Sequence, residues 1–271
     1  MQLYKMELNK IVRNKLTYVA SGILLLIILI SFIHEFSLSK EMVMEFSKRT
    51  CFRRLLDLSE FYFLYISIWL ITVFSAFYCE DKQNKVDVLL STTTRGKLYV
   101  FFIRLLVILT LTLCSFLFII ITTFLFCYFV YGYMDSRVLV EDVVYTKIMD
   151  PFLAKRTIDS FIKYYFIIAF SALIMLDALI VWVSVNVKKS LYSFVILLVI
   201  YFLPIYLESI IKCSNLNVGY ALITNQPILL ITVRCFTKSW PIYSIHLLIA
   251  YLIFGIAIWS SAKRWNSIAE R

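Results

Sequence analysis

The stretch Leu105–Met134 reads LLVILTLTLCSFLFIIITTFLFCYFVYGYM, thirty residues without a single charge. A helix rising ~1.5 Å per residue needs ~20 such residues to cross a ~30 Å hydrocarbon core. This run is long enough for a tilted or extended span. The whole chain shares its character. Of 271 residues, 62% are apolar and 16% are charged, against ~45–50% and ~25% in an ordinary soluble domain. One soluble core of this size cannot hide that much apolar surface. A soluble enzyme, a disordered chain and a disulfide-rich secreted domain are therefore excluded. Five glycines and four prolines leave little room for hairpin turns, so spanning helices are expected rather than a barrel.

Working outward, five more apolar runs stand at about 16–34, 61–79, 164–187, 190–207 and 240–262. The expected fold is an all-α membrane protein, a single six-helix domain over 1–271. A seventh stretch, Val218 to Val233, is broken by Asn225, Gln226 and Pro227, and reads as a re-entrant or surface hairpin. The first span is too long for a ~7–15 residue signal h-region and no A-x-A-like site follows it, so it is expected to stay as an anchor.

Orientation comes from the flanks. With the N-terminus inside, the inner segments hold 14 of the 27 basic residues, a count too even to decide. The turn between spans four and five, Lys188-Lys189-Ser190, carries two positives even at minimal length, which fits the cytoplasm. Six spans then put both termini inside a cell membrane, expected to be bacterial. This topology makes Cys51 accessible from outside and Cys79 not. The net charge of +10 is read as basic flanks meeting anionic lipid, not nucleic acid.

The catalytic inventory is thin. The chain has no HExxH, GxSxG or GxxxxGK[ST] pattern, so it is not expected to be an enzyme or to bind ATP itself. His34 sits at the end of span one. His246 lies in span six with no ligand partner at helical spacing. The six cysteines form no C-x-x-C, so no metal site is expected. Cys213 and Cys235 share the last outer loop, where they either pair or stay free. Asp177 is the one acid well inside a span, at a cost of ~2.5–3.5 kcal/mol on insertion scales. It is either a substrate-path or proton-relay group, or an acid bonded to a neighbouring helix.

Two segments on the cytoplasmic side are amphipathic. In LYKMELNKIVRNKL, Tyr4, Leu8, Ile11, Val12 and Leu16 gather on one side at 100° per residue, as in a helix lying in the membrane interface. Its anchoring groups are Glu7, Arg13 and Lys15. Between spans two and three, Glu80, Asp81, Lys85 and Asp87 accompany Val86, Leu89 and Leu90 at i, i+3, i+4 spacing. A short helix here would present a docking surface, and Arg95 and Lys97 would anchor it to headgroups.

At this segment the sequence resembles the ABC-2 family of ABC transporter permeases. The resemblance rests on Glu80, Leu89-Leu90-Ser91-Thr92 and Arg95-Gly96-Lys97, and on the N-terminal Glu7-Leu8-Asn9-Lys10-Ile11-Val12-Arg13-Asn14-Lys15. It departs from the family where a Gly after the acid and a Pro after Ser-Thr are common; Asn or Lys and Thr93 stand there. The resemblance implies an N-terminal interfacial helix and a short coupling helix between helices two and three. It also implies a second permease subunit, the same or different, and two copies of a separate cytoplasmic ABC ATPase carrying ATP and Mg. The implied activity is export of a peptide, a drug or a lipid-like molecule. Two alternatives stay open: a proton-coupled secondary transporter using Asp177, and a non-transporting immunity or sensor protein.

Overall fold

The computed structural model describes residues 2–41, 47–80, 96–132, 137, 139, 157–210 and 240–267. Their regular structure is helical: α1 Gln2–Val12, α2 Lys15–Glu41, α3 Ser47–Phe74, α4 Gly96–Tyr131, α5 Ile158–Asn186, α6 Ser190–Ile210 and α7 Trp240–Ser267. Extended pairing among the described residues is limited to one isolated bridge, Leu139 to Thr157.

Three helices are long and apolar enough to cross a membrane: α2 over Lys15–Ser37, α4, and α5. Their burial differs. About 65% of the apolar stretch of α5 is buried, against 33% for α4 and 11% for α2. So α5 lies inside the bundle, packed on α3, α4, α6 and most extensively α7, while α2 is peripheral and touches mainly α3. Uniformly apolar helices carry no stripe to orient them, and this ranking is the work of packing. Shorter apolar stretches occur at Phe61–Phe74 and Ser190–Leu203.

The ends of the runs differ from their sequence reading. Helix α3 begins fourteen residues before the uncharged stretch that starts at Phe61. Its first half carries charge, which a search for uncharged runs rejects. Yet Phe52, Leu55, Ser59, Tyr62, Phe63, Ile66 and Leu70 form one continuous buried face at helical spacing. The helix also stops short of the expected end, at Phe74 rather than Cys79. Helix α4 ends at Tyr131 rather than Met134 because Gly132 adopts φ +82°. Its N–H closes on the Tyr128 carbonyl at 3.0 Å, a left-handed cap that a side chain disfavours. Helix α5 starts six residues early, at Ile158.

Candidate functional site

The densest polar architecture surrounds the end of α3. After Phe74 the chain turns through Ser75–Tyr78 and regains one helical step at Cys79–Glu80. The Phe77 N–H bonds the Phe74 carbonyl (3.1 Å) and the Glu80 N–H bonds the Ala76 carbonyl (2.9 Å). This tightening redirects the chain just before the charged segment 81–95.

Three other helices grip the turn, and a fourth joins through one of them. From α4, Arg104 donates through Nη1 to the Phe77 carbonyl (3.4 Å) and stacks over the Phe77 and Tyr78 rings at 5.1 and 5.8 Å. The Tyr78 hydroxyl donates to the Phe101 carbonyl (3.1 Å). From α7, Trp265 meets Tyr78 edge-on at 5.4 Å. The Cys79 thiol reaches the carbonyls of Ser184 (3.2 Å) and Val187 (3.5 Å) at the end of α5. From α1, Glu7 accepts from Arg104 Nη2 at 3.2 Å, with only 3% of the arginine and 12% of the glutamate side chain exposed. A cavity of about 210 Å³ opens beside this junction, with Lys10, Asn14, Thr17, Glu80 and Ser190 on its walls.

Several expected residues stand elsewhere than the sequence suggested. Glu7, expected as an interfacial anchor, is paired with Arg104 inside the junction. Lys97 is 4% exposed, which is at odds with an anchoring role at a lipid surface. Arg13 and Lys15 are exposed. The α1 stripe splits: Ile11 is buried, and Tyr4 and Leu8 pack on the protein core, while Val12 and Leu16 stay 44% and 48% exposed. The helix therefore leans on α4 as well as presenting apolar surface outward. Asp81, Lys85, Asp87, Leu89, Leu90 and Arg95 lie outside the described residues, as do Cys213, Cys235 and the 218–233 stretch. His246 falls within α7, but its side chain is not among those described.

Asp177 is fully buried in α5 beside Thr112 of α4, itself fully buried. Among the described residues, neither carboxylate oxygen nor the Thr112 hydroxyl completes a hydrogen bond. The acid thus faces another helix and not the lipid.

A second polar cluster holds the opposite ends of these helices. Glu35 of α2, 8% exposed, accepts from Arg54 Nη1 of α3 (3.4 Å) and from the Tyr131 hydroxyl of α4 (2.9 Å). Both residues stand in helices that run beyond the uncharged stretches, α2 to Glu41 and α3 from Ser47. Cys51 lies near this end. It was expected to be reachable from solvent, but it is 4% exposed, with its thiol near the carbonyls of Cys127 and Gly132 (both 3.8 Å). Among the described residues, no group of three or more His, Cys, Asp or Glu side chains is arranged to hold a metal ion.

No family model, curated protein or solved structure matches the chain.

Proposed function

We propose that the chain is the transmembrane permease subunit of an ATP-driven ABC exporter of the ABC-2 kind. The observation that carries this reading is the clamp on the Ser75–Glu80 turn. A motor pushing on the segment after Glu80 needs a stiff mount, and here one turn is held by α4, α5 and α7 at once, with α1 joined to the same junction through Arg104. In this reading α2 to α7 are six spans with both termini cytoplasmic, and α1 is the interfacial helix. Residues 80–90 form the coupling helix that sits in a groove of the ATPase. Two ATPase copies bind ATP and Mg and close on each other. Their closure moves the coupling helix, and the clamped turn passes that displacement to α3 and α4 as a rigid-body switch. A second permease subunit completes the path for a peptide, a drug or a lipid-like molecule.

The test is co-purification with a candidate ATPase followed by ATPase assay in lipid. Charge reversal at Glu80 and Asp87 together should abolish the complex while the permease still folds. Intact complex formation by that variant would remove the docking assignment.

The fully buried Asp177 beside Thr112 favours a second reading, proton-coupled transport without any ATPase. Asp177→Asn separates the two. A proton-driven carrier loses transport in that variant, whereas an ATP-driven one keeps its ATPase-dependent flux.

A further inference from the structure

Helices α2 and α3 pack together, with Phe32 edge-on to Tyr62 at 5.8 Å, and two polar contacts pin them on either side. At one end the Trp69 indole N–H donates to Ser21 Oγ (3.1 Å). At the other, Arg54 holds Glu35. Between these pins lies a cleft of about 520 Å³, within the ~300–1,000 Å³ of small-molecule sites. Because both ends are fixed by polar contacts, the cleft is a built feature of the fold.

Its lining is graded. Ile27 and Ile30 of α2, with Phe61 and Tyr65 of α3, make the apolar body. Phe61 and Tyr65 meet edge-on at 4.8 Å, forming one aromatic wall. His34 and Glu35 line its polar end, about 10 Å further along α2 than Ile27 by helical rise. The flank of α2 around the opening is apolar and exposed, with Ile23, Leu26 and Ile33 each more than half exposed. Access is therefore sideways, from the hydrocarbon.

The charge state of the polar end narrows the ligand further. Both Glu35 oxygens are engaged, one by Arg54 and one by Tyr131. Among the described residues the carboxylate lining the cleft is already paired, so an ionic solute would find no free partner in it and would lose its hydration. An apolar chain gains from every methylene placed against Ile27, Ile30 and Phe61. His34 offers a polar contact for an ester or glycerol oxygen.

We propose that this cleft binds an acyl chain of a phospholipid from the leaflet at the Glu35 end of the bundle, with its ester region against His34. The site is independent of the transport reading; it concerns α2 and α3 alone.

The test uses the full chain in phosphatidylcholine nanodiscs doped with a phosphatidylcholine carrying a diazirine on one acyl chain. After photolysis, adducts are mapped by mass spectrometry. Adducts are expected on Leu58, a residue only 5% exposed that lines the cleft, and on Phe61 and Tyr65. Ile27→Trp, which fills the cleft, should lower them about tenfold, a factor equal to ~1.4 kcal/mol of lost occupancy. Adducts on the outward-facing Ile121 and Phe129 of α4 should not change. Ser31→Trp serves as a second filling variant, and each thermal midpoint is checked so that folding and occupancy are read separately. Equal labelling of Leu58 in the filled variants would overturn the proposal. So would labelling confined to outward residues, the pattern expected if a second copy of the chain covered the opening.

Discussion

Removing the Arg104 guanidinium should loosen α1 from the bundle, and the size of the effect can be worked from its contacts. Arg104 and Glu7 are 3.2 Å apart with 3% and 12% of their side chains exposed. Breaking such a pair by deleting one partner leaves the other buried and uncompensated, at ~3–5 kcal/mol. Arg104→Met also forfeits the bond to the Phe77 carbonyl and the stacking on Phe77 and Tyr78, the stacking being worth ~0.5–2 kcal/mol. Glu7→Gln keeps the shape and a hydrogen-bond acceptor, and Arg104 retains its other contacts, so its cost should be smaller, ~1.5–3 kcal/mol for a charge-assisted bond. Removing both partners leaves no orphaned charge. The double variant should therefore cost less than the sum of the two, with a coupling of ~0.5–3 kcal/mol. The assay is a double-mutant cycle on unfolding of the purified protein in mixed micelles, with amide exchange along residues 2–12 as a local readout. Because the pair is buried, the coupling should survive a rise in salt that would screen a surface pair. Additivity within ~0.3–0.5 kcal/mol, or coupling that vanishes at high salt, would refute the clamp.

Three other outcomes are expected. Gly132→Ala should destabilise by ~1–2 kcal/mol, the left-handed cost of a Cβ at φ +82°; nothing lies within 4 Å of the added carbon, so a much larger loss in an unfolding titration would point to a clash the fold does not contain. Tyr131→Phe removes the 2.9 Å bond to Glu35 and should cost ~1.5–3 kcal/mol, while Tyr128→Phe, half exposed on the same helix, should be near neutral; equal effects would deny the cluster its role. Among the four described cysteines, a maleimide in detergent should modify Cys114, which is exposed, and spare Cys51, Cys79 and Cys127. Rapid modification of Cys51, which is 4% exposed, would mean the thiol is not buried as described.

Much of the fold was legible because bilayer thickness imposes a length that uncharged runs report directly. Leu105 to Tyr131 could be read at sight. The first half of α3 could not, because its charges mask a buried stripe that only becomes visible once Arg54 is seen neutralised by Glu35. The ends of spans also escaped: Phe74 and Tyr131 are ends set by backbone geometry, by a tightened turn and a left-handed glycine, not by a change of hydropathy. At the candidate junction Glu80 and the α1 stripe were legible. The role of Arg104 was not legible, since no local pattern distinguishes a lysine or arginine meeting headgroups from one meeting Glu7, 97 positions away.

The sequence by itself determined that the chain is helical and apolar enough to enter a membrane, because that follows from composition and run length and needs no partner. Which helix lies at the centre and which at the rim was decided only by the tertiary structure. Helices α2, α4 and α5 are all long and apolar, and among their own residues only Asp177 in α5 hints at which one lies inside. The ranking comes from long-range contacts: α5 wrapped by α3, α4, α6 and α7, and scattered polar residues that find each other across the bundle as Glu7 finds Arg104 and Glu35 finds Arg54. In an apolar solvent such pairs, with close packing, do what the hydrophobic stripe does for a soluble helix.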